Sequence, residues 1–559
     1  MIDDSPADRY IIGTRHLNPD TVEELHMKKL LLSGNEAIAL GAFEAGVRVG
    51  TGYPGTPSTE ILENLTTYPG VYTEWSVNEK VALEVAIGAA ITGARSIVTM
   101  KHVGLNVAAD PLFTASYIGV KAGLVIVCAD DPNMHSSQNE QDNRNYAYAA
   151  KVPMLEPSDS QEAKDFTALA FDLSERYDTP VILRSTTRIS HSKTVVTPSP
   201  SPRRGEGPRR FERNIEKYVM IPAYARSRHV KVEERMRRLE DEVNGFEINR
   251  VQMGDTRLGI ITSGICYTYL KEVFPEASIL KLGMVHPLPE RVIVDFCSKV
   301  ERVLVIEELD PFIELRVRAM GMKVEGKRYF PRTGELSPDL VRRPLESLGL
   351  VKQGAAGTAL QSEMQLPPRP PSLCPGCPHR TVFKALKRLG LTVTGDIGCY
   401  TLGALPPYTS MDTCVDMGAS ITLAQGIEIA EGNDRDAHTV AVLGDSTFTH
   451  MGLPGLLNAA YNKRTSLVIV LDNGTTAMTG MQPNPLSGQR INGEDAVVMD
   501  YKKLGEAFGL KSDNIEIVDA YKPEEIESSI SRLVERDELS LLVVQGLCVI
   551  LRRKREKGH

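Results

Sequence analysis

At 559 residues the chain is too long for one hydrophobic core, and a working size of about 150 residues per domain predicts three or four units. Its 42% hydrophobic and 24% charged residues, with a net charge of −8, fit an ordinary globular protein and exclude the basic excess of a nucleic-acid binder. Eight cysteines are too sparse for a disulfide framework, so clustered ones point to metal or redox chemistry.

The N-terminus, MIDDSPADRYIIGTRHLNPD, is acidic and polar without an apolar signal segment, and no stretch approaches the roughly eighteen apolar residues of a membrane span. The expectation is a cytoplasmic protein with no membrane contact. In the first block, GYPGTPSTEI (52–61) sets two prolines around Gly55 and Thr56, which forces a tight non-helical turn, with Ser58 and Thr59 as N-cap candidates. On the residues alone this is a strand-to-helix turn. EWSVNEKVALEVAIGAAITGA then places Glu79, and its rival Glu84, at the start of a small-residue helix. RSIVTM, AGLVIVCADD and TPVILRST are short β-branched apolar runs that suit strands buried on both faces of a parallel sheet. His102 and Asn106, in KHVGLN, come directly after the first of them. TPSPSPRRGEGPRR (197–210) reads as a linker, and the charged helical stretch 229–247 as a solvated connector. RLGIITSG, ASILKLG and RVLVIEEL are weaker runs, a smaller α/β domain without an evident site, and the proline cluster LPPRPPS (366–372) ends it.

The third block opens on LCPGCPHR, where Cys374 and Cys377 admit half a metal site, a redox pair or a plain turn. Cys399 in GDIGCYTLG and Cys548 in VVQGLCVILRR could meet them in space, and a [4Fe–4S] cluster takes four thiolates; zinc stays open as the alternative. Cys128, Cys266 and Cys297 lie in or beside apolar runs and read as packing residues, while Cys414 in MDTCVDMGASI is undecided. HTVAVLGDS, TSLVIVLDN and LSLLVVQG are strand runs ending in polar or glycine residues, and ligands of open α/β sheets bind at the carboxyl ends of strands. Asp445 and Asn473 lie 28 residues apart, about one βαβ crossover. On neighbouring strands their oxygens would share one edge, as hard ligands for Mg²⁺ carrying a diphosphate. Taken singly, they read as a helix cap and a turn residue. His379 is either a turn histidine or a ligand or acid–base group. Arg552, Arg553, Lys554, Arg555 and Lys557 close the chain as a basic run, read as a solvated tail or as a dock for an acidic electron acceptor.

Gly444-Asp445-Ser446 and Asp472-Asn473-Gly474 together resemble the thiamine diphosphate motif, GDG followed some twenty-odd residues later by NN, in the GDS and DN form typical of the 2-oxoacid:ferredoxin oxidoreductases. LSGNEAIALGAFEAGV, GYPGTPSTEI, CPGCPHR, DMGASI and DNGTTAMTG are similar to the large subunits of the indolepyruvate ferredoxin oxidoreductases in that family, from about residue 28 to the end. The resemblance implies an α/β fold with two thiamine diphosphate-binding, doubly wound parallel-sheet domains and a smaller α/β domain between them. A pyrimidine-binding domain is expected over 28–196, a linker and helical connector over 197–254, the small domain over 255–350, a linker over 351–372, and the diphosphate- and Mg²⁺-binding domain over 373–551.

By the same resemblance, Mg²⁺ sits on Asp445, Asn473 and the carbonyl of Thr475, with further cofactor contacts from Gly444, Ser446 and Thr479. Glu79 is the carboxylate that hydrogen-bonds pyrimidine N1′, Thr56 faces the 2-oxoacid, and His379 is catalytic. Cys374, Cys377, Cys399 and Cys548 hold a [4Fe–4S] cluster. The implied activity is oxidative decarboxylation of aryl 2-oxoacids, of indolepyruvate or phenylpyruvate type, to acyl-CoA, with CoA as co-substrate and single electrons passed to ferredoxin or a cluster-bearing subunit. A smaller β subunit, homologous to the gamma domain of related enzymes, is the implied partner in a hetero-oligomer. Family members usually continue past the residue matching Cys548 into a ferredoxin-like domain. This sequence ends at LRRKREKGH, so the expectation is a separate electron-carrying subunit or a different acceptor. The alternative is a non-oxidative arylpyruvate decarboxylase, which would share Glu79, Asp445 and Asn473 but need no cysteine quartet. A catalytically silent subunit is the third reading, set against the presence of both halves of the cofactor motif.

Overall fold

The computed structural model describes residues 11–12, 29–200, 203, 210–351, 371–431 and 439–557. Much of the linker 197–210, and nearly all of 351–372 with its proline cluster, lie outside the described residues. The chain divides into two compact units, Met1–Gln361 and Ser362–His559. Among the described residues no helix is long and apolar enough to cross a membrane.

The first unit is built on a seven-stranded sheet whose core runs Val181–Thr186, Leu124–Asp130, Ser96–Lys101, Val49–Gly52 and Tyr72–Trp75, all parallel. The central strands are buried along their whole length, as continuous apolar runs require when both faces are covered. The other edge departs from the sequence reading. Met284–His286, from the block expected to form a separate small domain, pairs antiparallel with Met154–Leu155 and so completes the first sheet. The five-stranded sheet of that block, centred on Asp255–Ser263, shares one hydrophobic core with the first sheet: Leu280, Leu282 and Phe296 pack in the same cluster as Val98, Met100 and Ile126.

Buried charge also ties the two sheets together. The Arg144 guanidinium, 1% exposed, donates to Asp142 Oδ1 (2.8 Å) and Oδ2 (2.5 Å) and to Glu307 Oε2 (2.7 Å), and Arg184 donates to Asp130 (2.7 Å) and Glu156 (2.5 Å). The stretch read as a solvated connector is a helix, Pro222–Glu242, with one docked face. Val232, Met236 and Leu239 are buried at helical spacing, and Arg235 donates to the carbonyls of Ser116 (3.0 Å) and Asp178 (2.9 Å).

The second unit carries a six-stranded, all-parallel sheet in the order Thr413–Cys414, Thr392–Gly395, Thr439–Gly444, Leu467–Asp472, Ser540–Gln545, Ile515–Asp519. Its strands feed two cores by alternation: Val442, Ile469, Leu471 and Val544 on one face, Ala441, Leu443, Val468 and Val543 on the other.

Arg144→Met tests the buried charge in the first unit. It leaves the Asp142 and Glu307 carboxylates without their cation, a loss of about 3–5 kcal/mol for a broken buried pair. The urea midpoint of the first unit should fall accordingly, and an unchanged midpoint would contradict this role.

Candidate functional site

In the second unit the carboxyl ends of four parallel strands deliver polar residues to one edge. Gly444 pairs in register with Leu471, and Asp472 with Gln545, so Asp445, Asn473 and Cys548 leave adjacent strands together. Thr392–Gly395, on the other side of Thr439–Gly444, delivers Asp396 and the Cys399 segment. Asp396 is buried and accepts the amides of Gly418 (2.9 Å) and Ser420 (3.2 Å), and so caps the helix Ala419–Glu431. Burial pushes its carboxyl up to about 6 despite these bonds.

Asp445 is buried, and Asn484 donates to its Oδ2 at 3.1 Å. Burial, then the neighbouring Asp472 carboxylate, push the Asp445 carboxyl up to about 7. The turn after Asn473 folds back on the same group. Gly474 takes φ +73°, a backbone region that glycine occupies without strain. Asn473 Oδ1 accepts the Thr475 amide (3.1 Å), and Thr476 Oγ1 lies 2.9 Å from Ser446 Oγ. The Thr479 hydroxyl is held inside the loop by Gln482 Oε1 at 2.6 Å.

Beside this turn lies a cavity of about 100 Å³ lined by Cys374, Cys377, Cys399 and Cys548, with His379 and Asn473. The CxxC segment is a turn closed by the Cys377 amide on the Cys374 carbonyl (3.0 Å), with Gly376 at φ +79°. Burial and the facing sulfurs push the Cys399 thiol up to about 12, and burial with its sulfur neighbours pushes Cys377 to about 11. His379 is fully buried at the start of the helix His379–Leu389, and its Nε2 lies 3.2 Å from Asn473 Nδ2. Burial lowers its pKa to about 4, so the ring is neutral and Nε2 is the acceptor of the amide.

Asn473 therefore makes three contacts. Its side-chain oxygen holds the Thr475 turn, its side-chain nitrogen holds His379, and its main-chain oxygen accepts the Cys548 amide at 3.0 Å. Among the described residues no three His, Cys, Asp or Glu side chains converge on a single ion position. A four-iron cluster engages one thiolate at each corner, so its ligand sulfurs stand farther apart than the ligands of one ion. Cys414 is exposed, 3.5 Å from the Asp396 carbonyl, and does not line the cavity. Cys128 and Cys266 are buried in the first unit, and Cys297 is partly buried against its core.

In the first unit Glu79 opens the helix Glu79–Thr92 behind the N-cap Asn78, whose side chain accepts the Val81 amide at 2.9 Å. Glu79 is 5% exposed, whereas Glu84 is exposed and ion-paired with Lys80. A Cβ on Gly104 would lie 2.7 Å from Glu79 Oε1, so that glycine makes room for the carboxylate.

Ser58 holds the N-cap position of Thr59–Leu65 but makes no side-chain capping bond. Its hydroxyl donates to the Gly55 carbonyl (2.8 Å), while Thr59 Oγ1 accepts the Gly55 amide (3.0 Å). Both hydroxyls thus close the turn that carries the half-buried Thr56. Lys101 lies against this turn, its Cδ 3.3 Å from where a Gly55 Cβ would be, and donates to the Ser136 carbonyl at 2.6 Å. Burial lowers it to about 8 against the pull of Asp131 and Glu79. His102 is fully buried with Nε2 3.1 Å from the Asn139 carbonyl, and Asn106 accepts the Tyr146 hydroxyl at 2.7 Å.

Lys101, Gly104, Asp396 and Asn484 were not singled out by the sequence. Each acts through a contact between distant segments, and only Lys101 and Asp396, at the ends of strands, gave a signal.

Residues 40–238 match the family model described as "Pyruvate flavodoxin/ferredoxin oxidoreductase, thiamine diP-bdg", and residues 396–544 that described as "Thiamine pyrophosphate enzyme, C-terminal TPP binding domain". The chain is 42% identical to the indolepyruvate oxidoreductase subunit IorA of Archaeoglobus fulgidus, over 96% of this chain and 90% of the relative. It is 40% identical to the subunit of the same name from Pyrococcus horikoshii, over 94% and 86%. A 2-oxoglutarate synthase subunit KorA from Methanothermobacter thermautotrophicus is 31% identical over 30% of this chain and 48% of the relative.

Gly104→Ala should force the Glu79 carboxyl out of its place and lower turnover by about 10²-fold, the scale of a 1 Å misplacement at a reacting centre. Gly88→Ala, with nothing within 4 Å of the added carbon, should leave turnover unchanged. Equal turnover in both variants would show that Glu79 needs no such fit.

Proposed function

We infer the reaction from one premise: the chain belongs to the family of the indolepyruvate oxidoreductase IorA subunits and is a 2-oxoacid:ferredoxin oxidoreductase. Its chemistry is thiamine diphosphate-dependent oxidative decarboxylation of a 2-oxoacid. In our reading the substrate is an aryl 2-oxoacid of the indolepyruvate type and CoA is the acyl acceptor. The balance is R–CO–COO⁻ + CoA–SH → R–CO–S–CoA + CO₂ + H⁺ + 2 e⁻. The two electrons leave singly, through a [4Fe–4S] cluster on Cys374, Cys377, Cys399 and Cys548, to ferredoxin or a cluster-bearing subunit. A smaller β subunit completes the enzyme.

One observation carries this reading: four cysteines spread over 175 positions of sequence line a single small cavity, hydrogen-bonded through Asn473 to the Asp445 edge. The residues fit the groups they would hold. Asp445 is a buried carboxyl facing a second carboxylate, an arrangement that a divalent cation completes, with Asn473 and the Thr475 carbonyl as the further oxygens. Buried thiols crowded together are held neutral, and iron supplies the positive charge that converts them to thiolates.

Bound thiamine diphosphate supplies the carbanion chemistry that lets a 2-oxoacid lose CO₂. Glu79, buried at the start of its helix, would be the carboxylate that pairs with pyrimidine N1′, and its burial would keep water from competing for that bond. On this reading Thr56, on the Gly55–Pro57 turn against which the Lys101 side chain packs, would face the 2-oxoacid group of the substrate. His379 stays neutral and orients the Asn473 amide, whose oxygen in turn fixes the metal-side turn.

Iron content separates the cysteine quartet from the rest. Cys548→Ala should lose the cluster and its visible absorption in anaerobically purified protein, although Cys548 lies 149 residues beyond Cys399. Cys297→Ala should keep both. The opposite pattern would overturn the assignment.

A further inference from the structure

The wall of the cysteine cavity reaches the surface at the CxxC turn. Pro375 and Gly376, between the first two cysteines, are exposed, and the Gly376 carbonyl lies 3.5 Å from the Tyr521 hydroxyl. Ile550 lines the cavity and yet is 42% exposed, and Tyr521 is 45% exposed. Two large apolar side chains thus sit half in water where a single turn covers the sulfurs.

The helix Val549–Glu556 begins directly after Cys548, with Val549 packed 3.6 Å from where a Gly376 Cβ would stand. Five of the six residues from Arg552 to Lys557 are cationic, and all are exposed. One or two cations suit the last turn of a helix; five exceed that need. Arg553, Lys554 and Lys557 follow Ile550 at helical spacings of three, four and seven, which puts them on the side of the helix that carries Ile550. An apolar spot over a redox centre with a cationic flank is the complement of an acidic protein with its own centre near the surface.

We propose that the surface formed by the Cys374–Cys377 turn, Tyr521, Ile550 and the cationic helix is the docking face for an acidic one-electron carrier protein of the ferredoxin class. This rests on the reading of the four cysteines as a cluster site. Each docking event moves one electron from the reduced cluster to the oxidised carrier, so two events clear the pair of electrons released per 2-oxoacid. The apolar centre excludes water over the shortest path, and the cations orient the approaching carrier and raise its encounter rate.

The test uses the enzyme with its partner subunit, an acidic ferredoxin with a single [4Fe–4S] cluster as probe, and the double variant Arg553→Glu/Lys554→Glu. Lys502→Glu/Lys503→Glu, on the helix Tyr501–Ala507, makes the same change in net charge. The expected result for the first variant has three parts. Iron content and reduction of methyl viologen stay at the wild-type level. Ferredoxin binding, measured by biolayer interferometry, weakens at least tenfold at low salt. The difference shrinks toward 1 M salt, where the Debye length falls from about 10 Å to about 3 Å. The Lys502/Lys503 variant should bind ferredoxin like wild type. Equal weakening in both variants, or none in the first, would overturn the docking face. Absence of iron from the wild-type enzyme would instead remove the cluster reading, and the docking face with it.

Discussion

Asn473 is the residue on which the second unit's chemistry turns. A carboxamide can accept and donate at once, and its main chain adds another acceptor. In this protein those three capacities are all engaged: the turn toward Asp445, the neutral ring of His379, and the amide of Cys548. The edge that gathers Asp445, Asn473 and the Thr475 turn is therefore joined to the cavity lined by sulfur through hydrogen bonds of one side chain and its backbone. A change at this position would move both, and Tyr400, next to Cys399, adds a further link through its hydroxyl to Thr447 Oγ1 at 2.9 Å. The parallel sheet makes the arrangement available. Adjacent strands end in register, so residues far apart in sequence leave the sheet side by side.

The energetic pattern follows from burial. Asp445, Cys377 and Cys399 are all pushed toward their neutral forms, by loss of water first and by like neighbours second. A fold that only had to be stable would gain by replacing such groups with apolar ones. On the proposed reading they are the groups whose charge a divalent cation and an iron–sulfur cluster would balance. In the first unit the opposite holds. Asp130, Asp142, Glu156 and Glu307 are buried too, but Arg144 and Arg184 sit among them, and this internal pairing locks the middle block onto the first sheet.

Much of this architecture was legible because the central strands are continuous apolar runs with polar endings, a pattern that only a sheet covered on both faces requires. The spacing of Asp445 and Asn473 suited one crossover, and the two strands are neighbours. Glu79 is buried and Glu84 exposed, a difference in surroundings that two glutamates five positions apart could not reveal in sequence. The convergence of Cys548 with the CxxC turn came from resemblance, since no periodicity links residues that far apart. The rest depends on contacts between segments. Met284–His286 is too short to show an alternation, yet it completes the first sheet. Arg235 lies in the stretch read as solvated but is buried against main-chain carbonyls. Asn484 reaches Asp445 from a loop 39 positions on, which no local pattern signals.

Decarboxylation joined to electron release has a fixed stoichiometry, and measuring it is the most direct test. Anaerobic enzyme with its partner subunit, indolepyruvate and CoA would be assayed for CO₂, acyl-CoA and reduced acceptor in the same sample. Oxidative decarboxylation predicts one acyl-CoA and two electrons for each CO₂, with no CO₂ accumulating beyond the oxidising capacity of the acceptor. CO₂ released with the corresponding aldehyde, and without acceptor reduction, would mark a non-oxidative decarboxylase and contradict the account.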